Sequence, residues 1–381
     1  MNSNAKHLAK VIDTTLREGE QSPGLHFDVE LKREILKGLV ELGVDEIELG
    51  IAVRENGSLK ELAEYVHAVY PGQNFSLWCR CLQEDIDFGT SLKPDCLALS
   101  IPASDLHLQK KLGRDRKWAV ERLRESVCRT LESGVSRVAV GLEDASRADP
   151  DFILELAHAA RESGAFRLRL ADTVGIATPA MIGGMLAGVQ EVGIELGVHC
   201  HNDFGMATAN TITAFEKGAL WGDVTILGLG ERTGNSRLEE VLSYLVLQRG
   251  SERYDLQEMV QLCRNLSRKL KREIVPCQPI IGEEIFSCET GMHLQGLLAD
   301  PATYEPFNPE RVGARRSLLI GAQTGRHAIA SVFDRLGLVR PSAQMLKELT
   351  NLVRRVARQR QSFLNDHEVV ALFSCHFTKQ S

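Results

Sequence analysis

ELGVDEIEL, running from Glu41 to Leu49, joins an amphipathic stretch to a short β-rich run through a single glycine. The same junction recurs as ESGVSRVAV at Glu132, ESGAFRLRL at Glu162, EVGIELGVH at Glu191 and EKGALWGDV at Glu216. A glycine just past a helix adopts the left-handed cap that other residues avoid, and the run after it reads as the next strand. Gly72 and Gly89 read as weaker copies. The spacing between these glycines is mostly about 25 to 30 residues, the length of one strand–helix unit.

Working outward, the repeat predicts strands at Val11–Asp13, Glu46–Leu49, Ser76–Cys81, Cys96–Ile101, Arg137–Leu142, Arg167–Ala171, Leu196–His201 and Asp223–Leu227. Several are near-continuous apolar runs, as parallel strands covered on both faces should be. Between them the pattern is helical: after Asp28 as N-cap, Leu31, Ile35, Leu39 and Leu42 share one stripe. Strict alternation predicts a (β/α)8 TIM barrel over residues 1–250, with a doubly wound open sheet as the structural rival. The remainder, 251–381, is expected to form a smaller, mainly helical C-terminal subdomain. It has helices at Leu256–Lys271, near Thr324–Leu336 and over Ser342–Asp366, and loops broken by Pro276, Pro279, Pro301, Pro306 and Pro309.

Composition narrows the function. Lys and Arg (45) are interspersed with Asp and Glu (51) for a formal charge of −6, a pattern without the basic stripe of a nucleic-acid binder. Nine cysteines with no framework suggest reduced thiols, and Cys79 and Cys81 read as buried small hydrophobes. MNSNAKHLAK lacks the apolar core of a signal peptide, and no run approaches eighteen apolar residues. The expectation is a soluble cytoplasmic protein without membrane partners.

In a barrel the working face lies at the C-terminal strand ends, and the unusual polar residues sit there. Strand one runs into Arg17, Glu18 and Gln21, strand five into Glu143 and Asp144, strand six into Asp172 and Thr173, and strand eight into GERTGN ending at Asn235. Strand seven ends in His199-Cys200-His201, whose alternation turns both imidazoles to one face, where they can converge on a cation. Each residue alone has a bland reading: a surface ion pair for Arg17 and Glu18, a solvated acid for Glu143, a turn residue for Asp172. The G-x-G at Gly228 lacks a full dinucleotide fingerprint and reads as a tight turn that positions Asn235, with Ser236 and Glu239 as a helix capping box.

DTTLREGEQSPG at Asp13, ADTVGIATP at Ala171, HCHNDFGMATANT at His199, GLGERTGN at Gly228 and ETGMHLQGLLADPATYEPF at Glu289 together resemble the 2-isopropylmalate synthase and homocitrate synthase family of acyl-CoA-dependent carbon–carbon bond-forming enzymes. The resemblance spans nearly the whole chain. IPASD at Ile101 and EDASR at Glu143 are most similar to the nitrogenase-associated homocitrate synthases. It implies a metal-binding TIM barrel that condenses acetyl-CoA with a 2-oxo acid, here 2-oxoglutarate, in a homodimer whose active site is shared between subunits. By the same resemblance Glu18, His199 and His201 are metal ligands with Asn235 a fourth contact, and the ion is Mg²⁺, Mn²⁺ or Zn²⁺. Arg17 stabilises the developing alkoxide, Glu143 and His293 form the acid–base pair, and Gln21, Thr173 and Tyr304 line the substrate site.

Three departures stand out. Glu18 replaces the usual Asp, and Gly321-Ala322-Gln323-Thr324-Gly325 replaces a Gly-Lys-His-Ser-Gly segment. Leu82 and Ala139 occupy positions where lysine-pathway homocitrate synthases carry a histidine and an arginine for the distal carboxylate. Arg80 is the expected replacement, ahead of Arg54 and His107, against the alternative that it pairs with Glu84 or Asp85. The 381 residues also leave no room for the large regulatory domain of feedback-controlled isopropylmalate synthases.

Overall fold

The computed structural model describes residues 9–54, 56–289, 293, 296–297 and 299–377. Eight parallel strands close a barrel in sequential order: β1 Lys10–Asp13, β2 Glu46–Ile51, β3 Phe75–Arg80, β4 Cys96–Pro102, β5 Val138–Glu143, β6 Arg167–Asp172, β7 Glu195–Cys200 and β8 Trp221–Val224. The ring shuts where Lys10 pairs with Trp221 and Asp13 with Val224. Around it lie α1 Val29–Leu42, α2 Gly57–Val69, α3 Gln83–Ser91, α4 Arg116–Glu132, α5 Pro150–Glu162, α6 Pro179–Val189, α7 Ala207–Glu216 and α8 Leu238–Ser243.

The repeated junction works as its chemistry requires. Gly43, Gly134, Gly164, Gly193 and Gly218 all have positive φ, between 70° and 97°, which any side chain would strain. Asp28 caps α1 by accepting from Leu31 N at 2.8 Å. Gly72 and Gly89 do not share the left-handed cap. Gly89 lies inside α3, where an added Cβ would meet the Leu97 side chain at 2.9 Å, so it serves close helix–strand packing. The last strand ends earlier than expected, because Leu227 turns to φ 60° in a 3₁₀ turn at Ile226–Gly228.

Aliphatic side chains fill the layer between strands and helices: Ile47, Leu49, Leu97, Leu99, Leu168 and Leu170 are each at most 1% exposed. The barrel interior is different, because it is charged. Glu46 and Glu48 of β2 alternate with those aliphatics, as do Arg167 and Arg169 of β6, and alternation sends both pairs inward. Arg167 gives Glu46 a two-pronged bond at 2.7 and 3.0 Å. One layer higher, Arg169 bridges Glu48 at 3.2 Å and Asp223 at 2.8 Å.

The chain divides into two compact units between Glu273 and Ile274. A ninth helix, α9 Leu256–Leu270, which the sequence reading assigns beyond residue 250, packs on α1 and α8 and lies in the first unit. The second unit holds a two-stranded parallel ladder, β9 Ser287–Cys288 with β10 Ser317–Leu318, then α10 Arg326–Arg335, α11 Ala343–Arg360 and α12 Asp366–Phe377. The single helix expected over Ser342–Asp366 breaks at Gln361, which takes φ 52°. Ile329, Val332, Phe333, Leu349, Val353 and Val369 form that unit's core. Among the described residues no helix is long and apolar enough to cross a membrane.

Candidate active site

A cavity of about 290 Å³ opens at the C-terminal ends of the strands, lined among others by Arg17, Glu18, Gln21, Glu143, Thr173, His199 and His201. Arg17, Glu18 and Gln21 come from the loop after β1, Glu143 from the end of β5, Thr173 from the loop after β6 and the two histidines from the end of β7 and the residue after it. Strand β7 delivers His199, and His201 is fixed one step beyond by an antiparallel bridge to Asn235. That bridge depends on the GLGERTGN turn. Gly234 has φ 87°, and a Cβ there would stand 1.9 Å from Gly228 O, while one on Gly230 would stand 2.0 Å from the Asn235 amide.

Glu18, His199 and His201 each present a ligand atom within 4.8 Å of the others. The two imidazole Nε2 atoms face each other at 3.2 Å, and Glu18 Oε1 is 3.3 Å from His199 Nε2. His199 Nδ1 sits 2.9 Å from Asp223 Oδ2, so a proton on Nδ1 leaves Nε2 as the lone pair turned to the cluster. Burial opposes a charge on His199, but hydrogen bonds to Asp223 and Glu18 and their negative charges outweigh it and raise the pKa to about 9. Burial, and then the His199 charge, push His201 down to about 3. Burial would raise Glu18, yet Arg17 and the histidines hold its carboxyl well below the usual range.

The residues fit a divalent cation. Glu18 Oε2, Asp223 Oδ1 and Asn235 Oδ1 are buried acceptors without a partner among the described residues, and two opposed nitrogens at hydrogen-bond distance need a shared proton or a metal between them. One carboxylate, two imidazoles and an amide oxygen suit a Mg²⁺, Mn²⁺ or Zn²⁺ ion.

Around this cluster the cations are arranged in tiers. Arg17, 7% exposed, bonds Glu18 and Glu48 and lies 5.7 Å from the Trp78 ring. Thr173 Oγ1 accepts from Asp144 N at 2.8 Å, which leaves its own hydroxyl hydrogen to donate. Glu143 is met at Oε1 by His107 and Lys111.

Two expectations are corrected. Arg80 does not line the cavity; its guanidinium is half exposed and bonds Asp85 on α3 at 2.5 and 3.0 Å, because its position at the end of β3 puts it beside the first turn of that helix. Ser236 and Glu239 do not form a capping box: Ser236 Oγ pairs with Thr211 Oγ1 at 2.7 Å, and the Glu239 carboxylate accepts from Leu227 N at 3.0 Å. His293 and Tyr304 lie in the second unit, both exposed, with ring centroids 4.3 Å apart. Glu48, Arg169 and Asp223, which orient the site from below, escaped the sequence reading. Their signal was the charge alternation in EIEL and RLRL.

A parallel eight-stranded barrel with a carboxylate and two imidazoles gathered at its mouth defines a class of (β/α)8 protein with a candidate divalent-metal site over the strand ends. Within that class the chain belongs to the HMGL-like family, whose model matches residues 9–265, and residues 280–361 match the homocitrate synthase post-HMGL domain-like model. It is 43% identical to a homocitrate synthase of Frankia alni over 86% of this chain and 93% of that protein. A 2-isopropylmalate synthase of Caldanaerobacter subterraneus is 36% identical over 95% of this chain and 94% of that protein. The hydroxymethylglutaryl-CoA lyase structure from Pseudomonas aeruginosa shares the fold, with TM-score 0.63 and 20% identity over 70% of this chain and 94% of that one.

Proposed function

We propose that this enzyme condenses acetyl-CoA with 2-oxoglutarate and hydrolyses the thioester to homocitrate and CoA, serving nitrogenase iron–molybdenum cofactor synthesis in the cytoplasm. The observation that carries the chemistry is the convergence of Glu18, His199 and His201 with Arg17, Thr173 and Glu143 on one cavity. The relative named homocitrate synthase, 43% identical along nearly its full length, supports the choice of product.

A divalent ion held by Glu18, His199, His201 and Asn235 would act as a Lewis acid toward the keto carbonyl of the oxo acid. The chain's own groups do the rest. Thr173 donates its hydroxyl hydrogen to the oxo acid's carboxylate, and Gln21 lies beside it. Glu143 takes a proton from the acetyl methyl group, a weak acid that needs a positioned base. Arg17, desolvated and already paired, places positive charge where the alkoxide develops. Among the described residues no cysteine lines the cavity.

His293 and Tyr304 are proposed to act on the partner subunit's barrel in a homodimer. In support, Leu82, Leu106, Leu112, Ile176 and Phe204 are exposed on segments at the catalytic face, an apolar rim that a partner would cover. Mixing Glu143→Gln and His293→Ala subunits tests this: hybrid dimers should regain activity that neither parent has.

The second reading, 2-isopropylmalate or citramalate synthesis, is favoured by one observation. Ile51, Trp78, Gly141 and Ala171 place uncharged groups in the cavity lining, and Arg80 is turned away. CoA release from acetyl-CoA with Mg²⁺ or Mn²⁺, compared across 2-oxoglutarate, 2-oxoisovalerate and pyruvate, decides between them. Preference for 2-oxoisovalerate or pyruvate would sink the homocitrate assignment, and no release with any of the three would sink the synthase reading.

A further inference from the structure

The turn His107–Leu112 that follows β4 carries three basic side chains, and two of them, His107 and Lys111, reach the same oxygen of Glu143. His107 Nδ1 lies 2.9 Å and Lys111 Nζ 2.6 Å from Oε1. The other imidazole nitrogen decides which way the first bond points. Nε2 is 3.3 Å from Arg147 Nη2, and a guanidinium has only donors to offer. Nε2 therefore supplies a lone pair, and Nδ1 carries the proton it donates to Glu143. Asp144 Oδ2, 3.6 Å from Nε2, is too far for a hydrogen bond.

This arrangement is supported on every side. Arg147 donates to Asp144 through Nε and Nη2, each at 2.8 Å. Asp144 also takes the Ser104 hydroxyl at 2.5 Å, and Ser104 Oγ in turn accepts the backbone N–H of His107 at 3.1 Å. Asp144 holds φ 62°, a left-handed conformation that strains a residue other than glycine. An ordinary solvated ion pair has no such ring of supports.

We infer that His107 and Lys111 are positioning residues that clamp Oε1 of Glu143 and so reserve Oε2 for proton abstraction. Oε2 has no partner among the described residues. The inference rests on the reading of Glu143 as the base. In the step, the methyl C–H bond of acetyl-CoA breaks, the proton bonds to Oε2, and the electron pair becomes the enolate that attacks the keto carbon; His107 and Lys111 exchange no proton.

In the metal-loaded enzyme, His107→Leu and Lys111→Met should each lower kcat about tenfold or more, with KM for the oxo acid changed less than about threefold. His107→Asn, whose amide N–H can stand in for Nδ1, should recover most of the loss. In a Glu143→Gln background, His107→Leu should have little further effect, because the two act through one carboxylate. Equal losses in His107→Asn and His107→Leu, or full additivity with Glu143→Gln, would overturn the clamp. A readout independent of turnover is NMR of histidine ¹⁵N-labelled protein, the His107 signals assigned by their disappearance in His107→Leu. Wild type should show His107 with its proton on Nδ1, and that N–H resonance should shift in Glu143→Gln, where a neutral amide replaces the charged acceptor. A proton on Nε2, or an Nδ1–H signal unmoved by Glu143→Gln, refutes the inference whatever the kinetics show, whereas the expected signals in an enzyme that releases no CoA would sink the synthase reading and leave the clamp standing.

Discussion

The barrel contains two buried charged layers, and they are finished in opposite ways. At the floor, both oxygens of Glu46 receive Arg167; the polar atom of that pair left without a partner among the described residues is a donor, Arg167 Nε, and the guanidinium lies 4.5 Å from the Trp221 ring and 5.0 Å from that of Phe166. At the mouth the orphaned atoms include three acceptors, on Glu18, Asp223 and Asn235. A spare donor against aromatic faces is satisfied by the rings. Spare acceptors around two opposed imidazoles call for a cation. The same residue types therefore close the barrel at one end and prepare a site at the other.

If the floor is structural, breaking its pair should have the largest effect on stability. Glu46→Ala leaves Arg167 buried without its carboxylate, and a loss of about 3–5 kcal/mol is expected in denaturant unfolding. Ion binding at the mouth should persist in the folded fraction. A cost under about 1 kcal/mol would show that water reaches the floor and that the two layers are not distinct.

The mouth should respond to ions. Wild-type protein at a metal concentration one hundred times Kd should gain about 2.7 kcal/mol of stability, and His199→Ala or His201→Ala should abolish that gain along with the calorimetric signal of binding. Glu18→Gln keeps the shape and removes the charge, so affinity should fall by roughly 1.4–3 kcal/mol, the range for a charged contact. Unchanged stoichiometry and affinity in all three variants would place the metal elsewhere.

The barrel was legible because its signals are local and repeated. The five Glu-x-Gly junctions state a helix end and a strand start within nine residues each, and all five glycines take the left-handed conformation. His199 and His201 were legible for the same reason, since two residues on one strand share a face. What escaped depends on side chains meeting across the barrel. Glu48 and Arg169 are 121 residues apart, and each alone looks like a charge on an alternating strand. Arg80 failed for a related reason: position on a strand end was readable, but the direction of a long side chain was set by a carboxylate five residues later.

That correction yields the smallest expected effect. Arg80→Ala removes a guanidinium whose partner, Asp85, is buried but sits in the first turn of α3, where the exposed N–H groups and the helix dipole favour a negative charge. The helix end thus offsets part of what the lost arginine supplied, and because Arg80 is itself half exposed the pair is discounted by solvent. Unfolding should shift by no more than about 1 kcal/mol. The guanidinium is committed to Asp85 and does not line the cavity, so kcat/KM for 2-oxoglutarate should stay within about twofold of wild type. A selective loss of tenfold or more on 2-oxoglutarate, with 2-oxoisovalerate spared, would mean that Arg80 leaves Asp85 when substrate binds and reads the distal carboxylate after all. Equal small losses on both substrates would keep it with the helix.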